Sequence, residues 1–294
     1  MIIVIVGPTG VGKTKLSIDL AKIYNAEIIN ADAMQVYKGL NIGTAKIKEE
    51  EKEGIKHHLI DFVDVKDSYS VFDYQNDGRR IIKRLQQDNK NIVIVGGSAL
   101  YIKALLYDYN FYSKGIDNNY DDVDTEILYD RLKRLDKNVK IDKNNRRRIV
   151  RAINYYLENK SSISDNKNGE VLLYKDAIFI GLTTDRDKLY ENINKRVDKM
   201  ITSGLVEEVK YFYDNNLVTK PLETGIGYKE VISYFNGLVS RDEMIELIKK
   251  NSRHYAKRQY TFMRNKMDIK WFLVDFDNFD NTVLEVKKYI DNFV

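Results

Sequence analysis

Residues 1–14 read MIIVIVGPTGVGKT, and they carry the strongest structural signal in this 294-residue chain. Ile2–Val6 is a short apolar run rich in β-branched residues, which favours a buried strand. Gly7–Thr14 matches the pattern G-x-x-x-x-G-K-[ST] in full, and the amphipathic segment TKLSIDLAKIY that follows predicts a helix. A strand, a glycine-rich turn and a helix in this order predict a phosphate-binding loop on an α/β sheet.

The residues of this loop are the candidate ligands of a di- or triphosphate: Gly7, Pro8, Thr9, Gly10, Val11, Gly12, Lys13 and Thr14. Glycines let backbone N–H groups turn toward an anion, and the N-terminus of the following helix adds a favourable dipole. Lys13 would neutralise terminal phosphate oxygens, and Thr14 would offer its hydroxyl to Mg²⁺. The motif itself is silent about which phosphate compound binds.

Further strand and helix patterns predict a parallel, doubly wound sheet, an α/β fold of the P-loop NTPase-like class. Glu27–Asn30, Asn91–Val95 and Ala177–Leu182 are short apolar runs like the first strand. Later helical patterns cover Asp187–Thr202, Leu205–Tyr213, Gly227–Phe235 and Asp242–Asn265. We therefore expect a core formed by residues 1–112 and 174–294.

Residues 113–173 interrupt the core pattern and predict a helical insertion domain. The segment is polar, with helical stretches at Asp124–Leu135 and Asn145–Leu157. The Asn- and Ser-rich stretch Glu158–Gly169 is typical of a loop.

Charge is segregated along the chain, although the net charge is only +4. Residues 117–130 hold six acids and no base, so this run would repel RNA and face away from it, or would form a solvated or disordered face. Residues 137–151 hold seven bases and one acid, and residues 249–270 hold eight lysines or arginines and one acid. Two basic blocks on a nearly neutral protein indicate contact with a polyanion, although solvated helix faces explain either block equally well.

The composition, 43% hydrophobic and 31% charged, is that of an ordinary globular protein. The absence of cysteine excludes disulfides and thiolate metal sites, and it fits a reducing cytoplasm. No apolar run approaches the ~20 residues of a membrane helix. The opening apolar run has no basic segment before it, so we interpret it as a strand and not as a signal peptide. We expect a cytoplasmic protein without a membrane partner.

Asp32 is the candidate catalytic base. P-loop ATPases usually hold Mg²⁺ with an acid at the end of a later strand, but here glycines follow Asn91–Val95. Asp32 follows the second strand, and open α/β sheets build their sites at strand carboxyl ends. It would accept a proton from an incoming nucleophile, or it would only cap a helix. The pattern favours a transferase with an acceptor nucleophile over a motor-type ATPase.

Eight strings follow one another along the chain: GPTGVGKT, EIINADAMQVYKGLNIGTAK, HHLIDFVDVKDSYSVFDY, IVGGSALYIKALL, NNRRRIVRAINYY, RVDKMITSGLVEEV, GIGYKEV and YAKRQYTFMR. Together they resemble the bacterial tRNA dimethylallyltransferase family over nearly the whole chain. The resemblance implies transfer of a dimethylallyl group from dimethylallyl diphosphate to the exocyclic 6-amino group of adenosine 37, beside the tRNA anticodon. It implies Mg²⁺ as cofactor, the anticodon stem-loop as partner, a monomeric protein, and diphosphate as the leaving group.

The resemblance also assigns site residues. Gly7–Thr14 would hold the donor diphosphate, Lys13 and Thr14 would help to offset the charge on the departing oxygen, and Asp32 would take a proton from the adenine amine. The tRNA-contacting residues it implies are Asp32, Ala33, Met34, Gln35, Ser98, Arg147, Arg148, Ile149, Val150 and Arg151. Many members have Ser at the position of Ala33 and Thr at the position of Ser98. The hydroxyl group is therefore lost at position 33 and kept at position 98.

An adenine in a stacked anticodon loop must leave the stack to reach a buried donor, and this calls for basic surfaces beside the site. Helical spacing within Asp242–Asn265 forms one mainly basic stripe: Lys249, Arg253, Lys257, Tyr260 and Arg264. A second stripe is mainly apolar: Ile245, Ile248, Tyr255 and Phe262. We expect the apolar stripe to pack on the core and the basic one, including Arg253 and Lys257, to face tRNA phosphates.

Two other functions stay open on the residues alone. A small-molecule P-loop enzyme, either a kinase with Asp32 as base or a prenyltransferase acting on free AMP, would need neither basic block. A nucleotide-dependent RNA-binding protein would need no catalytic Asp32. His57 and His58 lack a third ligand at useful spacing, so we expect structural roles for them. Ser68–Tyr74 would line a prenyl pocket or pack in the core.

Overall fold

The computed structural model describes residues 1–111, 120–165 and 169–293, and the chain forms two compact units. The larger comprises Met1–Leu106 and Tyr174–Val294, and the smaller comprises Tyr107–Leu173. The insertion was expected at residues 113–173, and residue 113 lies outside the described ranges; the smaller unit begins at Tyr107. The reason is that Tyr107 pairs with Leu172 in an antiparallel bridge that joins the two ends of the smaller unit.

The larger unit is built on a parallel sheet. The described residues form six strands: β1 (Ile2–Val6), β2 (Ala26–Asn30), β3 (His57–His58), β4 (Asn91–Val95), β5 (Ala177–Thr183) and β6 (Lys270–Leu273). Their order across the sheet is β3-β2-β4-β1-β5-β6, and each hydrogen-bonded pair is parallel. All five residues of β1 are buried, as expected for an inner strand of a parallel sheet. The predicted α/β class with a parallel sheet is confirmed.

Helices follow the strands, as a doubly wound sheet requires. They are α1 (Lys13–Ile23), α2 (Val71–Gln87), α3 (Ala99–Leu106), α4 (Thr125–Leu135), α5 (Arg146–Asn159), α6 (Arg186–Thr202), α7 (Leu205–Asp214), α8 (Lys220–Thr224), α9 (Tyr228–Phe235), α10 (Arg241–Lys266) and α11 (Phe279–Ile290). Local sequence explains several helix starts: Ser240 and Glu243 form a capping box at α10, and Asn145 caps α5. Within the described ranges, none of these helices is both long and apolar enough to cross a membrane.

Helices α4 and α5 form the core of the smaller unit. Leu128, Leu132, Ile149 and Ile153 are buried in one apolar cluster between them. Arg146 closes the start of this unit by donating to the backbone oxygens of Val123 and Tyr120. The smaller unit is thus compact and has its own small core between two helices.

The carboxyl ends of β1, β2 and β4 meet at one edge of the sheet. The N–H of Ala31 donates to the oxygen of Val95 at 2.8 Å, and the N–H of Ser98 donates to the oxygen of Ala31 at 3.1 Å. A Cβ on Gly96 would overlap the backbone of Ala31, so only glycine allows this approach. The phosphate loop, Asp32 and the turn at 96–98 therefore lie side by side.

Candidate active site

A cavity of about 480 Å³ lies at this edge of the sheet. The phosphate loop forms one wall with Thr9, Gly10, Gly12, Lys13 and Thr14. The segments 32–35 and 96–98 form a second wall, and side chains of α6, α9 and α10 complete the enclosure. The structure thus brings together the predicted phosphate-binding loop, Asp32, Ala33, Met34, Gln35 and Ser98.

The phosphate loop aims the start of α1 at this cavity. Gly12 has φ +88° and occupies the position before α1, where the left-handed conformation favours glycine. The Lys13 ammonium group donates to the oxygen of Pro8 at 2.7 Å, so its side chain folds back over the loop. Gly7, Pro8 and Val11 shape the loop without lining the cavity, and the Val11 side chain is fully buried.

Lys13 and Arg196, two of the cationic side chains that line the cavity, interact electrostatically with the carboxylate of Asp32. Burial and, to a lesser extent, the positive charge of Arg196 lower the pKa of Lys13 to about 7, although Asp32 acts in the opposite direction. Burial also lowers the pKa of Arg196, and Asp32 again raises it. Because both cations are poorly solvated, the arrangement strongly favours a bound anion.

Asp32 is held in a tight turn after β2. Its Oδ1 accepts from the N–H of Met34 at 2.9 Å, and Asn30 exchanges hydrogen bonds with its backbone at 3.2 Å. The Ser98 hydroxyl oxygen accepts from the N–H of Ala33 at 3.0 Å. Residues 33–36 form turns, so Asp32 does not cap an α-helix, and its carboxylate lines the cavity. This geometry is compatible with a proton-accepting role.

Gln259 and Tyr255, on α10, join the two walls, although neither was predicted to belong to the site. The Gln259 side chain accepts from the N–H of Thr9 at 3.1 Å and donates to the oxygen of Gly97 at 3.0 Å. Side-chain hydrogen bonds link Tyr255 to Ser98 and Gln259. Burial raises the pKa of the Tyr255 hydroxyl to about 12, so it stays protonated near neutral pH.

One part of the cavity is apolar. The side chains that line it come from the turn after β2, from α6, α9 and α10, and from the segment before α9: Met34, Ile193, Val197, Met200, Ile226, Tyr228 and Ile248. Ser68–Tyr74 does not contribute to the lining. Ser70 instead caps α2, and Tyr74 is buried against Tyr101, with ring centroids 4.3 Å apart. Phe72 is 48% exposed, so the core-packing interpretation holds for Tyr74 and not for the whole segment.

The predicted stripes of α10 are partly wrong. The buried residues are Met244, Ile248, Ala256, Gln259 and Met263, and Tyr255 faces the cavity instead of the core. Lys249 forms ion pairs with Asp198 at 2.8 Å and with Glu246 at 3.3 Å, so its charge is largely compensated within the protein.

A second cavity of about 440 Å³ lies between α6 and α10. Arg186, Lys257 and Arg264 line it together with the rings of Tyr190 and Tyr260. The Arg264 guanidinium lies 5.0 Å from the centroid of Tyr260, and that of Arg186 lies 5.1 Å from the centroid of Tyr190. Among the described residues, no acid lines this basic-aromatic pocket.

Arg253 lies next to the basic-aromatic pocket and is only half exposed, in part because it donates to Asn194 at 2.6 Å. In the smaller unit, Arg147, Arg148 and Arg151 are exposed on α5 and Val150 is half buried. The Ile149 side chain is fully buried, so its predicted contact with tRNA is not available to the side chain.

The histidine pair has structural partners. The ring of His57 bonds through Nδ1 to the oxygen of Ile55 at 2.8 Å, and the ring of His58 bonds through Nε2 to the Glu27 carboxylate at 2.6 Å. The described part of the chain contains no group of three or more His, Cys, Asp or Glu side chains that would hold a metal ion. The predicted structural role of His57 and His58 is confirmed.

Comparisons with known proteins agree with this geometry. Two similar curated proteins are tRNA dimethylallyltransferases, from Anoxybacillus flavithermus (45% identical, over 99% of this chain and 96% of that protein) and from Bacillus subtilis (46%, 92% and 90%). The solved tRNA isopentenylpyrophosphate transferase of Staphylococcus epidermidis superposes with a TM-score of 0.76 at 37% identity, covering 100% of this chain and 99% of that one.

A eukaryotic dimethylallyltransferase described as acting on tRNA superposes with a TM-score of 0.85 at 29% identity, covering 99% of this chain and 79% of that one. The P-loop NTPase-like fold and the predicted resemblance are confirmed by these neighbours. Residues 35–266 match the family model described as IPP transferase. The chain therefore belongs to the IPP transferase family.

Proposed function

We propose that the protein transfers the dimethylallyl group of dimethylallyl diphosphate to the exocyclic 6-amino group of adenosine 37 in tRNA, giving isopentenyladenosine and diphosphate. Family membership makes the chain a transferase, as predicted. The observation that carries the proposal is a single cavity that combines a phosphate loop, one carboxylate and an apolar end. These three features match the diphosphate, the acceptor amine and the hydrocarbon of the reaction.

The donor diphosphate would lie against the phosphate loop. Backbone N–H groups at the start of α1, together with Lys13 and Arg196, would stabilise the negative charge that develops as the C–O bond breaks. Thr14 and the substrate oxygens would hold Mg²⁺, which commonly binds through few protein ligands, phosphate oxygens and water. The lining fits such an ion because the Thr14 hydroxyl lies at the start of α1, where the diphosphate would bind. Bound Mg²⁺ would supply further positive charge beside the diphosphate.

The apolar end of the cavity would hold the five-carbon group. Val197, Met200 and Ile248 are buried or nearly so and have no polar atom that needs solvation. Ile193, which also lines the cavity, lies 3.5 Å from a Cβ built on Gly10 of the phosphate loop. A hydrocarbon attached to a diphosphate on the loop would therefore reach apolar side chains directly.

The acceptor adenine would lie between the carboxylate of Asp32 and the polar groups around it. Ser98, Tyr255 and Arg258 line this part of the cavity. In the transfer, a bond forms between the adenine nitrogen and the donor carbon, the C–O bond breaks, and Asp32 takes the proton that the amine loses. An adenine reaches this depth only after leaving the stack of its RNA loop.

The tRNA would contact basic surfaces outside the cavity. We assign anticodon stem-loop phosphates to the basic-aromatic pocket, where Lys257 is exposed and no described lining residue is acidic, and to the neighbouring Arg253. Arg147, Arg148 and Arg151, beside Val150 on α5, would supply a further contact. We propose that the protein acts as a monomer.

The test is incubation of the protein with dimethylallyl diphosphate and Mg²⁺, with either unmodified tRNA or free AMP as acceptor. Mass spectrometry of the digested nucleosides should detect isopentenyladenosine only in the tRNA reaction. Prenylation of AMP without prenylation of tRNA would instead support the small-molecule enzyme.

A further inference from the structure

The loop at 41–44 connects the cavity to a carboxylate outside it. Gly43 and Thr44 line the cavity. The oxygen of Thr44 accepts from Nη2 of Arg196 at 3.2 Å and from the side chain of Gln35 at 3.2 Å. This hydrogen bond couples the position of the guanidinium to that of the loop.

Glu208, on α7, fixes this loop without lining the cavity. Its Oε2 accepts from the N–H groups of Asn41 at 3.0 Å and Ile42 at 2.7 Å. Its Oε1 accepts from the N–H of Gly43 at 3.1 Å and from the Tyr228 hydroxyl at 2.7 Å. Both oxygens of the carboxylate are used, and hydrogen bonds to a charged acceptor are about twice as strong as neutral ones.

Packing against Tyr228 restricts the position of the loop at 41–44. Tyr228 is fully buried, and a Cβ built on Gly43 would lie 2.5 Å from its ring. The loop therefore lies directly on a ring whose hydroxyl is itself held by Glu208. A loosened loop would release Arg196, whose nearest opposite charge in the cavity is the carboxylate of Asp32.

We propose that Glu208 is a positioning residue for the transfer reaction, which holds the loop at 41–44 so that Arg196 faces the donor diphosphate. The inference rests on the proposed function, because that function places a diphosphate beside Arg196. Without the carboxylate, Arg196 would pair with Asp32, weakening the hold on the diphosphate and occupying the proton acceptor.

The experiment compares Glu208→Gln with Glu207→Gln. Glu207 is exposed one residue earlier on α7, so its variant loses the same charge near the same helix start. We expect Glu208→Gln to raise the KM for the donor and the Kd for inorganic diphosphate about tenfold, as for the loss of a charged hydrogen bond. In Glu208→Gln the Kd for tRNA should change less than about twofold. Glu207→Gln should have the donor KM and the diphosphate Kd of the wild type.

A double-mutant cycle separates positioning from general destabilisation. Arg196→Lys keeps the charge but loses the planar group that bonds to the loop. In that background, Glu208→Gln should add little to the diphosphate Kd, whereas additive effects would overturn the proposal. If Glu208→Gln does not fold, Tyr228→Phe should show a smaller rise in diphosphate Kd with the same dependence on Arg196, and no rise would overturn the proposal.

Failure of the proposed function and failure of the role of Glu208 give different results. A wild-type protein that prenylates no tRNA contradicts the proposed function. An active wild type whose Glu208→Gln variant keeps the wild-type donor KM contradicts only the role of Glu208.

Discussion

Replacement of Asp32 by Asn separates the chemistry of the cavity from its shape. The amide is nearly isosteric with the carboxylate and keeps an oxygen that accepts the 2.9 Å hydrogen bond from the N–H of Met34. The turn after β2 should therefore stay intact. The variant loses the negative charge and the ability to accept a proton from the adenine amine.

The expected loss follows from these two changes. A positioned general base contributes about 10²–10⁴-fold, which corresponds to about 3–5 kcal/mol in the activation barrier. Donor affinity should stay constant or rise, because the carboxylate of Asp32 repels a diphosphate held by Lys13 and Arg196. The Kd for tRNA should change by less than about twofold, since phosphate contacts dominate RNA affinity.

Single-turnover prenylation with enzyme in excess gives the chemical rate, and filter binding gives the tRNA Kd. Asp64→Asn is the matched control: Asp64 also accepts from the N–H two residues ahead, that of Lys66 at 3.0 Å, but it lies outside the cavity lining. A rate for Asp32→Asn within tenfold of the wild type would refute the base assignment. Equal losses of rate and tRNA affinity would make Asp32 a structural residue.

Three further predictions concern binding and stability. Because the pKa of Lys13 is about 7, its amine is mostly neutral at pH 8–9, and bound diphosphate should restore the ammonium. Calorimetry in two buffers should therefore show proton uptake on diphosphate binding, and the binding should weaken as pH rises. Lys13→Met should abolish that uptake. Lys257→Gln should lower the salt dependence of tRNA binding by about one unit of slope, whereas the exposed Lys288→Gln should not; equal slopes would contradict the assigned surface. Gly96→Ala should destabilise the protein by about 1–3 kcal/mol, because its Cβ would overlap the backbone of Ala31, and an unchanged melting temperature would contradict the packing.

Local sequence patterns were sufficient to predict the core of the fold, the phosphate loop and the position of Asp32. The strand Ile2–Val6 and the loop that follows form as predicted, since strand period and glycine spacing are properties of adjacent residues. The position of Asp32 follows from a general rule, that strand carboxyl ends meet at one edge of a parallel sheet. The short outer strands β3 and β6 were not predicted, because two and four residues carry too little periodicity.

The rest of the site depends on packing between distant segments. Arg196 lies on α6 close to the buried side chains of Ile193 and Val197. The polar sequence around it did not indicate that its side chain lines the same cavity as the phosphate loop. Gln259 lies on the buried side of α10. Because its side chain is polar, a search for apolar residues at helical spacing does not identify it as buried. Its side chain is buried where α10 lies against the phosphate loop and the segment 96–98, and it is hydrogen-bonded to Thr9 and Gly97.

The identity of the phosphorus product tests the central claim most directly. We propose that the loop holds a leaving group and that carbon, not phosphorus, is transferred. Phosphorus NMR of a reaction with dimethylallyl diphosphate and tRNA should show one intact diphosphate for each isopentenyladenosine formed. Phosphorylated tRNA or AMP with ATP as donor, and no diphosphate from the prenyl donor, would contradict the account.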